Sequence, residues 1–115
     1  MSRILKIPCY SVQVTTRDFD EATRIGRKVV EERLAACANV LDGMSSIYWW
    51  EGKIEEGSEA LLVLKTTSRR LDELMARVKA LHSYDCPAIV AFAVEFGDGD
   101  YIDWIGDETV RKAKG

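Results

Sequence analysis

The chain is short of histidine, proline and cysteine, and each shortage narrows what the protein can do. It has one histidine (His82), two prolines and three cysteines in 115 residues. With no second histidine, no P-loop and no Rossmann fingerprint, the common catalytic and nucleotide-binding frameworks are missing. Three cysteines without a C-x-x-C pair do not make a disulfide framework. Free thiols in a reducing cytoplasm are the simplest expectation. No apolar run approaches the length of a membrane span, and the start "MSRILKIPCY" is too short and interrupted for a secretory signal. A net charge of -3 gives no general attraction for nucleic acid phosphates or anionic membranes.

What remains is a soluble globular composition, 47% hydrophobic and 30% charged. The length predicts a single domain over residues 1–115 with one core. "YSVQVTT" alternates Tyr10, Val12 and Val14 against Ser11 and Gln13, the mark of a half-buried strand. Asp18 and Glu21 have capping-box spacing, and Ala22, Ile25, Gly26, Val29 and Val30 form one helical stripe. "AACANVLDGMSSIYWW" predicts a long strand, bent or bulged at Asp42-Gly43. Glu51-Gly52 predicts a turn, "EALLVLKTT" the returning strand, and Ser68 the cap of a second helix with stripe Leu71, Leu74, Met75, Val78 and Leu81. Pro87 is expected to stop that helix. "AIVAFAVEF" predicts a fourth strand, and "DYIDWIGDETVRK" a short C-terminal helix. The fold class is therefore α+β, a ferredoxin-like βαββαβ order with an antiparallel sheet and a long hairpin between the second and third strands. "VTTRDFDEATRIGRKVVEERLAAC" and "LKTTSRRLDELMARVKALHSYDC" echo each other as its two halves.

"ALHSYDCPAIV" concentrates the candidate chemistry: His82, Tyr84, Asp85 and Cys86 within five residues. An imidazole and a thiolate suit copper or zinc, and Asp85 offers an oxygen. As a catalytic set the three are crowded on one turn, whereas working triads draw their members from distant segments. The plainer expectation is that His82 caps the helix, Tyr84 packs, and Cys86 is a small apolar side chain. The strand order sends Cys37 and Cys9 to one end of the sheet and His82 and Cys86 to the other. Zinc and copper ligands lie about 2.0–2.3 Å from the ion, so a site joining Cys37 to Cys86 has to cross between subunits. Tyr48, Trp49 and Trp50 sit at a hairpin tip too small to bury them, which points to a subunit interface. Open strand edges point the same way.

"VVEERLAACANVLDG", "SIYWWEG", "LKTT", "LHSYDCP" and "YIDWI" resemble, in order, the signature segments of the CutA family of divalent-cation tolerance proteins. The resemblance runs from about Val12 to Ile105. It implies a fold related to the PII signalling proteins, a stable homotrimer with paired hairpins, binding of copper or another divalent metal ion, no obligatory cofactor and no defining catalytic activity. Cys37 matches the cysteine of the E-R-L-A-A-C motif, and His82 and Tyr84 match the H-P-Y segment. Ser83 stands where the family has proline, Ala88 where it has glutamate, and Arg17 where it has proline after Thr-Thr. Cys9 and Cys86 lie outside the pattern, so Cys86 is a candidate on local spacing alone.

Three functions follow as expectations. One is a cytoplasmic trimer binding copper or divalent ions through metal ligands among Cys37, His82 and Cys86. Another is a PII-like sensor binding a small anion at the helix starts near Thr15-Thr16 and Thr66-Thr67. The third is an adaptor trimer. RNA binding is excluded because "YSVQV" and "ALLVLK" lack the aromatic stacking pattern of an RNA-recognition sheet.

Overall fold

The computed structural model describes residues 7–110. The first six residues of "MSRILKIPCY", and Arg111 and Lys112 of the C-terminal segment, lie outside that range. The described elements are β1 (Cys9–Thr16), α1 (Phe19–Glu31), β2 (Cys37–Trp50), β3 (Lys53–Thr67), α2 (Ser68–Leu81), β4 (Ile89–Val94) and α3 (Gly99–Glu108). The strands form one antiparallel sheet in the order β2-β3-β1-β4. Each βαβ half therefore brackets a strand of the other, and the ferredoxin-like expectation holds.

Alternation along the strands decides what each face does. Val12, Val14, Leu62 and Leu64 point to one face, where Ala22, Ile25 and Val29 of α1 and Leu74 and Val78 of α2 bury them. Gly26 lets α1 approach closely. A Cβ there would stand 3.0 Å from Ala38 Cβ and 3.0 Å from Leu62 Cδ1. Among the described residues, the opposite face is covered only at one end, where Ile102 and Ile105 of α3 pack on Cys9, Ala36 and Val94. The rest of it presents Leu41, Val90 and Phe92 to solvent.

The long hairpin follows the predicted irregularity. The β2–β3 register shifts between Leu41 and Met44, Gly43 takes φ +74°, and its N–H donates to Asp42 Oδ1 at 2.8 Å. At the tip, Glu51 and Gly52 both have positive φ, the geometry that matches a hairpin's right-handed twist. Beyond the bulge, the apolar residues of the hairpin have no sheet face to pack on. Ile47, Trp49, Trp50 and Ile54 are all exposed, Trp49 by 72%.

Two details of α2 depart from expectation. Its N-cap is Thr67 rather than Ser68, and Thr67 makes no side-chain cap bond. The helix also ends at Leu81, well before Pro87, because His82 turns extended with ψ 146°. What holds that turn belongs to the site below.

Replacing Gly26 with valine would force side-chain carbons into space held by Ala38 and Leu62. The expected cost is about 1–3 kcal/mol, read as a lower urea midpoint with an unchanged slope.

Candidate functional site

A buried carboxylate organises the corner where α1 begins and α2 ends. Asp18 caps α1, accepting the Glu21 N–H at Oδ1 (2.8 Å). Glu21 does not close the usual reciprocal box. Its Oε1 accepts the N–H of Arg17 at 2.8 Å, and its Oε2 accepts the N–H of Ser83 at 2.8 Å. Proline, the residue that the family resemblance implies at position 17, has no N–H to give, so Arg17 supplies a bond that proline could not. Arg24 adds an ion-pair contact at 3.7 Å. Burial raises the energy of the Glu21 carboxylate, but the bonds from Ser83 and Arg17 and the nearby His82 outweigh it and hold its pKa below the ordinary glutamate value.

The captured Ser83 fixes the rest of the turn. His82 Nδ1 accepts the N–H of Tyr84 at 3.0 Å. A backbone amide only donates, so Nδ1 carries no hydrogen and Nε2–H is the donor to Thr15 O at 2.7 Å. Both ring nitrogens are committed, and an ion at His82 would have to displace one of these bonds. The Tyr84 ring lies 4.9 Å from the imidazole, and its hydroxyl donates to Glu59 Oε2 at 2.8 Å. Burial, together with the Glu59 carboxylate, pushes the Tyr84 pKa well above the ordinary tyrosine value. Thr15, Glu21, Glu59, His82 and Tyr84 thus link two strands, β1 and β3, with the start of α1 and the end of α2.

Cys37 lies at the other end. It is half-buried at the start of β2, on the face left open by the helices, beside Lys65 in register. Its Sγ lies 3.6 Å from the Tyr101 hydroxyl. Tyr101 is aimed there by α3, whose cap Asp98 accepts the Tyr101 N–H at 3.1 Å, and it stacks on Trp104 with centroids 5.7 Å apart. Arg33 secures α3 to the end of α1 through Glu108 Oε1 at 2.7 Å. The thiol contact, then burial, pushes the Tyr101 pKa up to about 12. Cys9, beneath α3, is buried and its thiol pKa is raised by that burial, which leaves it protonated and inert.

The three sequence-predicted metal residues are not brought together. Three inter-strand spacings, about 14 Å, separate β2 from β4. The first residue of β4 pairs with Val14, three residues further along the sheet than the level of Cys37. Cys37 and Cys86 of one chain are beyond the reach of one ion, as the strand order implied. Among the described residues no three His, Cys, Asp or Glu side chains converge as a metal-binding group. The helix starts proposed for an anion also differ. The start of α1 is filled by Asp18 and Glu21, whereas the start of α2 has no side-chain cap and no acidic residue in its first turn.

Sequence reasoning found Glu21 only as a cap signal. It missed the carboxylate's second partner, 62 residues away, and the pairing of Cys37 with Tyr101. Tyr101 stood in the quoted "YIDWI" segment, but no spacing tied it to Cys37.

Two outcomes are expected. Glu21→Gln leaves buried N–H groups facing an amide that cannot accept at both positions, costing about 1–3 kcal/mol at pH 7. The Glu21 contribution is present above the unfolded glutamate pKa of about 4.3 and is lost as pH falls through the depressed folded value. The difference between wild type and variant in urea midpoint should therefore shrink towards pH 3, and an equal difference at both pH values would contradict the assignment. Separately, ultraviolet titration of Cys37→Ala should show one tyrosine ionising at lower pH than in the wild type.

Comparison with known proteins agrees with this architecture. The family described as CutA1 divalent ion tolerance protein matches residues 10–108. The chain is 44% identical over 98 residues to the divalent-cation tolerance protein CutA of Thermus thermophilus, covering 85% of this chain and 95% of that one. It is 38% identical over 103 residues to Protein CutA 1, chloroplastic, of Oryza sativa, covering 90% of this chain and 58% of that longer protein. It superposes on the periplasmic divalent cation tolerance protein CutA of Archaeoglobus fulgidus with a TM-score of 0.85 at 37% identity, covering 89% and 99% of the two chains. With the family matched along nearly the whole described fold, this chain belongs to the CutA1 divalent ion tolerance family.

Proposed function

We propose that the protein is a non-enzymatic homotrimer that binds copper or another divalent metal ion at the boundaries between its copies, with Cys37 as the sulfur ligand. The observation that carries this reading is the position of Cys37: a half-buried thiol on the open face of the sheet, in line with an apolar surface that the described residues leave uncovered. One chain does not bring three ligands to Cys37, and a second copy docked on that face is the natural source of the others. Phe92, Val90 and Leu41 on the sheet and Ile47, Trp49 and Trp50 on the hairpin supply the surface. Apolar area of this kind stabilises association at roughly 25 cal/mol per Å², and β2 and β4 are edge strands able to pair with another chain. Three members is the number that the family resemblance implies.

A cytoplasmic location goes with this reading. All three cysteines are unpaired, which suits a reducing compartment, and among the described residues no helix is long and apolar enough to cross a membrane. The chloroplastic and periplasmic relatives make location a property to measure for each member.

A second reading, a PII-like sensor for a small anionic metabolite, is supported by the start of α2. That helix start has no side-chain cap and no acidic residue in its first turn, although the Ser68 N–H bonds Pro8 O and Arg70 pairs with Glu73 at 3.1 Å. The uncapped N–H groups that remain at a helix start favour an anion.

Native mass spectrometry of the reduced protein, titrated with Cu(II) and Zn(II), tests the first reading. Trimers that take up a fixed number of ions, and lose them in Cys37→Ala, are the expected result. Trimers without stoichiometric metal would overturn it. Stabilisation of the chelated protein by phosphate-bearing metabolites would then favour the sensor.

A further inference from the structure

The long hairpin leaves the sheet through a bend, and a side-chain bond crosses that bend. β1 pairs with β3 only as far as Thr16 opposite Ala60. From Glu59 to the tip, among the described residues, β3 has β2 alone as its strand partner. The bulge falls at the same level. Leu41 opposes Leu61 and Met44 opposes Glu59, which sets Asp42 and Gly43 of β2 against Ala60. A bulge of two residues against one bends the strand and sharpens its twist. Gly43 adds a positive φ, with nothing within 4 Å of where a Cβ would stand. The arm beyond carries Ile47, Trp49, Trp50 and Ile54, all exposed. Among the described residues, the side-chain hydrogen bond that joins this arm to the rest of the chain runs from the Tyr84 hydroxyl to Glu59 Oε2, at 2.8 Å.

We infer that Tyr84 is a positioning residue for assembly: its bond to Glu59 fixes the direction in which the hairpin leaves the sheet, and so where the exposed aromatics meet a second copy. The inference rests on the self-association read under the proposed function. Tyr84 is well placed to act as a strut because it is itself held. Its N–H donates to His82 Nδ1 at 3.0 Å, and its ring lies 4.9 Å from the imidazole. His82 is bonded in turn to Thr15 O, so the hydroxyl is anchored to β1, the strand that the arm bends away from. A carboxylate acceptor strengthens the bond, and Tyr84 and Glu59 are both half-buried, which weakens the competition from water. Leverage makes the position matter. Gly52 at the tip lies seven residues beyond Glu59. At a strand rise of about 3.3 Å per residue that is roughly 23 Å, so a tilt of about 10° at the bulge carries the tip about 4 Å. A shift of that size is the length of a whole side-chain contact.

Pulsed electron spin resonance distances test the direction of the arm, and native mass spectrometry tests assembly. Spin labels at Lys53→Cys on the tip and Arg27→Cys on α1 are read in a Cys37→Ala/Cys86→Ser background, whose remaining Cys9 is buried. Labelled chains are diluted in an excess of unlabelled chains, so that each distance is measured within one copy. The chain with Tyr84 intact should give one narrow distance. Tyr84→Phe should widen it and speed the exchange of light and nitrogen-15 copies by about tenfold or more, with the helical circular dichroism unchanged. Glu59→Gln keeps an acceptor for the hydroxyl and should stay narrow, whereas Glu59→Ala should match Tyr84→Phe. Tyr84→Phe/Glu59→Ala should be no worse than either single variant, because the two remove one shared bond. An unchanged distance in Tyr84→Phe would overturn the proposal, and so would equal widening in Glu59→Gln and Glu59→Ala. Widening without faster exchange would overturn the role in assembly. Chains that stay single at every concentration, with the distance still widened by Tyr84→Phe, would keep the strut and overturn the self-association reading instead.

Discussion

The Glu21 carboxylate is the interaction on which the candidate site depends. It is 1% exposed, and a charge so placed is tolerated only when its oxygens are filled by donors. Here the donors are backbone N–H groups of Arg17 and Ser83, one before α1 and one after α2. The carboxylate therefore joins the two βαβ halves at the end of the sheet where α1 begins. Capture of Ser83 ends α2 at Leu81, turns His82 towards Thr15, and sets Tyr84 against Glu59 at the base of the hairpin. A residue that reads as a helix cap thus acts as a tie between segments far apart in the chain.

The second constraint is an imbalance between the two faces of the sheet. Helices α1 and α2 seal one face, while α3 covers only the end of the other around Cys9. A four-stranded sheet with one dry face and one partly apolar open face is stable enough to fold, but it leaves surface that water solvates poorly. The exposed aromatics of the hairpin extend that surface beyond the sheet. Cys37 lies on this same face, with Tyr101 of α3 beside it. Cys86 sits at the opposite end and on another surface. The two thiols that are not buried face different surroundings, one beside Tyr101 on the open face of the sheet and one towards an open cleft.

Much of the fold was legible before any coordinates. Period-2 alternation in "YSVQVTT" and the apolar stripe of α1 are local signals, and Asp42-Gly43 announced a bulge because glycine takes the positive φ that the bend needs. The separation of Cys37 from Cys86 also followed, since strand order alone decides which ends of the sheet they occupy. The end of α2 was misread at Pro87. Proline is a local stop signal, but the helix had already been ended by a carboxylate from another helix. Ser68 was misread as the cap because a hydroxyl before a helical stripe signals a cap, whereas Ser68 N–H instead bonds Pro8 O at 2.8 Å and becomes the first helical residue.

The sequence by itself determined the periodicities, the turn chemistry and the family to which the chain belongs, because these depend on residues close together or on ordered motifs. Tertiary structure alone decided that both His82 nitrogens are spent on Thr15 and Tyr84, that Tyr101 meets Cys37, and that Tyr84 meets Glu59. Each of these is a direction taken by a side chain after distant segments have packed. Spacing along a chain fixes which residues are near in sequence, but the orientation of a donor is fixed only by the partners that the fold brings to it.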